Sequence, residues 1–151
     1  MEGQSSWDWQ PGKRRIQDAG ACSTDVVWME EPVASPDGER LAAVVNLEDA
    51  VFGLCVNGGI LEETFEKAWA LCFSPDGRMT AIVSRDMEWT VAVEGQPWET
   101  TFGFVWNLSF SHDGTRIGAA VQQDMTYGAA VDGEPWPTFF DNAGDVALSP
   151  D

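Results

Sequence analysis

The sequence predicts an all-β protein assembled from one antiparallel unit used repeatedly. Three observations predict it. A Ser-Pro-Asp-Gly turn returns at near-constant spacing, apolar stretches of period two flank that turn, and no segment sustains a 3.6-residue apolar period.

The turn comes first because it sets the register. It stands at 35–38 and 74–77, recurs with His112 in the proline position at 111–114, and opens again at Ser149-Pro150. Its serines are 39, 37 and 38 residues apart. Pro36 and Pro75 preset φ for the second position of a type I turn. Asp37, Asp76 and Asp113 can bond the local backbone, and Gly38, Gly77 and Gly114 take the left-handed conformation that closes a hairpin. His112, the only histidine, reads as an exposed turn residue.

Four strand signals surround each turn. Before it, 69–73, 106–110 and 144–148 place large residues on alternate positions, which predicts one apolar strand face. Packing between units is then the expected role of Trp69 and Trp106. After it, 41–45, 80–83 and 117–121 are near-continuous small apolar runs, the pattern of a strand covered on both faces. The third strand spans 51–56, 89–93 and 127–131 and ends in Asn57-Gly58, Glu94-Gly95 and Asp132-Gly133. Positive φ at both residues of such pairs makes a tight hairpin, so Gly58, Gly95 and Gly133 are structural. A fourth segment opens with Gln96-Pro97-Trp98 and Glu134-Pro135-Trp136, and with Gly59-Ile60-Leu61 in the first repeat. Its strand-like parts are 100–104 and 138–140.

Four short antiparallel strands in about 38 residues match one blade of a β-propeller. The units fall at about 28–67, 68–104 and 105–142, and a fourth begins at 143–151. Propellers typically close with about four to eight blades. Three full blades plus the start of a fourth therefore predict a partial propeller, or a ring completed by self-association as a homo-oligomer. Residues 1–27 fit the repeat poorly and read as a cap, with 26–28 as an outer strand of an earlier blade.

Charge and composition narrow the function. With 25 acidic and 8 basic side chains the net charge is −17, which would repel nucleic acid and anionic lipid and attract a basic protein. Three cysteines, Cys22, Cys55 and Cys72, argue by odd number and spacing against a disulfide framework or zinc site and for a reducing compartment. No apolar window is long enough to span a membrane as a helix, and 1–15 has no secretory core. Motifs for a nucleophile elbow or a phosphate loop are absent. The expectation is no catalytic, metal or cofactor-binding residues, hence no enzyme and no cofactor. Eight tryptophans against one tyrosine are the distinctive feature, and Trp98 and Trp136, each after a proline, are the candidate partner-binding residues.

The Ser-Pro-Asp-Gly turn between an apolar strand and an Ala/Val strand resembles WD40-like and TolB-like β-propeller repeats over 28–151. Phe-Ser-Pro-Asp-Gly at 73–77, Val-Glu-Gly-Gln-Pro-Trp at 93–98 and Val-Asp-Gly-Glu-Pro-Trp at 131–136 further resemble the tryptophan-rich TmcD family. Those proteins are subunits of the Tmc transmembrane electron-transfer complex of sulfate-reducing bacteria. The resemblance implies a non-catalytic scaffold on the cytoplasmic side, peripheral to the inner membrane through redox-complex subunits, without its own redox centre. A TolB-like periplasmic binding module is the alternative, and a propeller enzyme a further one.

Overall fold

The computed structural model describes residues 25–150 together with Arg15 and Asp18. The proposed cap at 1–27 lies largely, and Cys22 wholly, outside them. The described residues are all-β, with thirteen strands and no helix, so no helix is long and apolar enough to cross a membrane.

The strands form three antiparallel sheets, each from one uninterrupted stretch of chain. In the first, β1 (Trp28–Met29) and β2 (Val33–Ala34) both pair with β3 (Leu41–Glu48), followed by β4 (Val51–Val56) and β5 (Gly59–Phe65). The second runs β6 (Lys67–Phe73), β7 (Met79–Arg85), β8 (Glu88–Val93) and β9 (Gln96–Pro97). The third runs β10 (Phe104–Phe110), β11 (Ile117–Gln123), β12 (Thr126–Val131) and β13 (Glu134–Pro135). Trp28 therefore belongs to an edge strand of the first sheet itself, paired with Asn46, and not to an outer strand of an earlier unit.

The turns form as their chemistry dictates. The amides of Gly38, Gly77 and Gly114 each donate to the carbonyl of the turn serine at 2.9 Å. These glycines sit at φ +73°, +88° and +76°. The Ser35 hydroxyl donates to the Asp37 carboxylate at 2.6 Å and Ser111 to Asp113 at 2.7 Å, with Ser74 and Asp76 paired likewise. The second hairpin turn is equally regular. Asn57, Glu94 and Asp132 lie at φ 48°, 52° and 51°, each before a glycine of positive φ. Their side chains also accept the first amide of the neighbouring strand: Leu41 at 2.8 Å, Met79 at 2.7 Å and Ile117 at 2.8 Å. One residue thus closes a hairpin and fixes the start of the strand beside it.

The sheets lie side by side and share two cores. Ala42, Val44 and Leu54 of the first meet Ala68, Met79, Ala81, Val83 and Ala92 of the second, with Phe65 between. The other side of the second sheet, through Ile82 and Val91, meets Val105, Ile117, Ala119, Val121 and Ala130 of the third, with Phe102 between. β7 is buried along six of its seven residues, as its unbroken apolar run requires. Alanine at facing positions lets the sheets approach without voids.

Three expectations fail locally. The expected strands at 138–140 and 144–148 do not form, and the latter segment meets β10 only through side chains, the Val146 and Leu148 amides donating to Asn107 Oδ1 at 3.2 Å and to the Ser109 hydroxyl oxygen at 3.3 Å. The segment 100–104 is not a strand. Pro97 has no amide to continue the ladder, so the chain leaves the sheet after Trp98 and returns only at Phe102, which exchanges hydrogen bonds of 2.8 and 2.7 Å with Trp89. Phe140 repeats the bridge with Tyr127. β6 and β10 also do not keep their large residues on one face. The register jumps between Trp69 and Cys72 and between Trp106 and Leu108. Ala70 and Asn107 sit there at φ 52° and 50°. Each bulge turns the tryptophan to the face opposite the following Leu and Phe.

Some contacts between sheets recur, although Arg40 pairs with Glu94 of the next sheet and Arg78 with Asp76 of its own turn. The Arg40 guanidinium reaches forward to the Gly77 carbonyl at 3.2 Å and to Glu94 at 2.5 and 2.8 Å. Arg78 reaches the carbonyls of Gly114 at 2.7 Å and Thr115 at 2.9 Å. Leu61 lies against Gly95, and Trp98 against Gly133, so a side chain at either glycine would meet it.

Candidate functional site

The bulges at Ala70 and Asn107 have a chemical consequence, for they take Trp69 and Trp106 out of the cores. Both rings instead join a row of aromatic side chains. Trp69 meets Trp89 edge-on with centroids 6.4 Å apart, and Trp106 meets Tyr127 the same way at 6.0 Å. Phe104 links the two pairs. It stacks on Trp69 at 6.4 Å and on Trp106 at 6.2 Å, and meets the edge of Trp89 at 5.3 Å. Five rings thus run continuously from the second sheet to the third, in the offset and edge-on arrangements that favour aromatic pairs.

The row is not sealed. Trp69 and Phe104 each keep 39% of their surface exposed. They form one wall of a groove of about 500 Å³ also lined by Phe52, Ala68 and Trp89, with Asp49, Glu66 and Lys67 among its polar residues. Asp49 and Ala50 belong to the β3–β4 turn. Glu66 is the single residue between β5 and β6, and it accepts the Met87 amide at 3.2 Å. The groove therefore opens at the end of the sheets that carries the β3–β4 and β7–β8 turns, away from the Ser-Pro-Asp-Gly turns.

That end carries a further apolar feature. The tips of the β7–β8 and β11–β12 turns are Asp86-Met87 and Asp124-Met125, all at positive φ. Met87 and Met125 are 88% and 83% exposed. Glycine is the residue that takes this conformation without strain, and a side chain there costs about 1–2 kcal/mol. Two equivalent turns thus hold a solvent-facing thioether in a conformation that its own backbone disfavours.

The residues singled out from sequence scatter by contrast. Trp98 is half-buried against Gly133 of the next sheet and lines a separate small cavity of about 160 Å³ with Phe65, Arg85 and Thr101. Trp136 is 50% exposed at the far side of the third sheet. Pro36, Asp37, Gly38, Pro75, Asp76, Gly77, Asp113 and Gly114 lie in turns at the opposite end from the groove. Trp89, Phe104 and Tyr127 escaped attention, although Trp89 and Tyr127 stand 38 residues apart, each two residues beyond an Asp-Met pair.

The turn carboxylates are held ionised. Hydrogen bonds from Ser111 and from the amide and hydroxyl of Thr115 take Asp113 down to about 2. The Ser35 hydroxyl and Glu39 amide lower Asp37. At Asp76 desolvation opposes the shift, but Ser74 and Arg78 outweigh it and the value falls. Arg40 lowers Glu94, and Glu94 raises Arg40. These are structural shifts, remote from the aromatic row. Cys72 is a free thiol whose pKa burial raises, with the Thr80 hydrogen bond acting the other way. Cys55 is disulfide-bonded, which corrects the expectation of free cysteines throughout. Among the described residues no three His, Cys, Asp or Glu side chains gather closely enough to hold a metal ion.

No protein-family model matches this chain, and no curated protein matches it.

Proposed function

We propose that this chain is an interaction subunit made of consecutive β-propeller blades, which binds a protein partner through its aromatic end and performs no catalysis. The observation that carries the reading is the open aromatic row, flanked by strained, exposed methionines. Aromatic residues and methionine are enriched in the cores of protein interfaces, and exposed large aromatic side chains in contact with one another are a costly surface to leave facing water.

The blade reading is supported by the recurrence of the same inter-sheet contacts. Arg40 and Arg78 both clasp the following turn, and Leu61 and Trp98 both cover the following hairpin glycine. The third sheet presents the equivalent groups, and among the described residues no following sheet receives them. Phe65 and Phe102 are 3% and 2% exposed, while the equivalent Phe140 is 56% exposed. Arg116 pairs at 2.6 Å with Asp132 of its own sheet instead of a following turn. This face suits another unit of the same repeat, from the same chain or a second copy.

Within that reading, the tryptophan-rich repeats favour a TmcD-like accessory subunit of a membrane-linked electron-transfer complex. Affinity purification of the tagged protein from detergent-solubilised native membranes tests it. Co-elution of integral redox subunits is the expected result, and elution without them refutes it. One observation favours a second reading. The Cys55 disulfide fits an oxidising compartment, as a TolB-like periplasmic module requires. Trapping cellular thiols by alkylation separates the two, since a cytoplasmic protein yields Cys55 reduced.

A further inference from the structure

We propose that the groove beside Trp69 receives an arginine side chain presented by an extended segment of the partner protein. The inference rests on the interaction-subunit reading and adds the chemistry of what docks.

The chain itself shows how it holds guanidinium groups. Arg40 lies 5.4 Å from the Phe73 ring centroid while paired with Glu94. Arg85 lies 5.3 Å from the Phe65 ring centroid while bonded to Glu63 at 2.7 Å. Each receptor is an aromatic face with a carboxylate beside it. The groove has the same two parts, with the rings of Trp69, Trp89 and Phe104 on one side and Asp49 and Glu66 among the others. Tryptophan is the strongest of the aromatic faces for a cation. All five described arginines are engaged with carboxylates elsewhere.

Charge complementarity selects the occupant. A net charge of −17 draws a cationic segment to the surface, and the groove's carboxylates and rings then favour a flat cation over an apolar plug. A guanidinium suits this better than an ammonium, because it can stack and pair in a fork at once. Lys67 occupies the position equivalent to Phe104 and lines the same groove. Its charge disfavours a second cation alongside, so a single arginine among neutral residues fits better than a polybasic run. Met87 stands at the turn equivalent to Asp49-Ala50 and Met125 at the next, where flexible thioethers can adapt to the flanking residues.

The test uses a fluorescein-labelled Gly-Ser-Arg-Leu-Ser-Gly peptide and its citrulline counterpart, which keeps the shape and loses the charge. Anisotropy is read at 0.15 M salt with the full chain. The arginine peptide should bind at least tenfold more tightly than the citrulline one. Trp69→Ala and Asp49→Asn should each weaken it about tenfold, and Asp141→Asn, remote from the groove, should leave it unchanged. Asp49→Asn in a solvent-facing turn keeps the test valid if Trp69→Ala lowers the melting temperature. Absence of binding, equal binding of the two peptides, or equal binding by wild type and Asp49→Asn would overturn the arginine assignment. If native co-purification survives Trp69→Ala, the groove assignment falls and the interaction role stands. If the wild type captures no partner, the broader reading fails on its own account.

Discussion

Gly77 and Gly114 occupy the same position of the same turn, yet replacing them with alanine should have unequal effects. Both lie at positive φ, +88° and +76°, so alanine at either adds about 1–2 kcal/mol of left-handed strain, less about 0.4–1 kcal/mol because the unfolded chain also loses freedom. At Gly77 nothing lies within 4 Å of the added methyl group, and the net loss should be about 1 kcal/mol. At Gly114 the methyl group would collide with the backbone nitrogen of Asp76 in the neighbouring sheet. Backbone cannot swing aside as a side chain can, and forced overpacking adds about 1–3 kcal/mol. Gly114→Ala should therefore lose about 2–4 kcal/mol. Urea unfolding followed by tryptophan fluorescence would give both values. At about 2–4 °C per kcal/mol for a chain of this size, the difference is also visible in melting temperatures. Equal losses at the two sites would refute the claim that the third sheet's turn is seated on the turn of the second.

Three other perturbations have definite expected outcomes. Arg40→Ala removes a clasp to Glu94 and Gly77; the Arg40 and Glu94 side chains are 30% and 40% exposed, so solvent screening limits the loss to about 1 kcal/mol in chemical denaturation. Asp113 has its folded pKa depressed from 3.8 to about 2. Its stabilising effect is thus complete above pH 3.8 and disappears as pH falls toward 2; Asp113→Asn should lower stability at neutral pH and converge with wild type near pH 2. Burial raises the Cys72 thiol pKa, so at pH 8 a disulfide reagent should label it much more slowly in native protein than in urea, and equal rates would contradict its placement.

The turns and the long strands could be read in advance because their chemistry is local. Asp132-Gly133 allows one tight hairpin whatever surrounds it, and an Ala/Val run such as 117–121 has no stable place except between two covered faces. The aromatic row could not be read because it depends on one residue per strand leaving the regular pleat. Ala70 carries no mark of a left-handed residue, and Asn107 only a weak one, so period-two logic put Trp69 and Trp106 on the wrong face. The break after Trp98 was half visible: Pro97 forbids ladder continuation, but the return at Phe102 depends on Trp89 across the sheet. Isolated tryptophans after prolines drew attention to Trp98 and Trp136, whereas the structure gathers Trp69, Trp89 and Trp106 together.

Each sheet is woven from a single contiguous run of about thirty to forty residues, and distant parts of the chain meet only where one sheet faces the next. Ordering a sheet thus requires closing only short loops, the inexpensive part of building β structure. Such leaves can form early and dock afterwards, each guiding its neighbour, as in other nearest-neighbour arrays. The same economy makes the unit copyable: a duplicated stretch of gene arrives with its own turns, its own forward-reaching arginine and a ready-made seat for the next copy, so the array can lengthen without redesign.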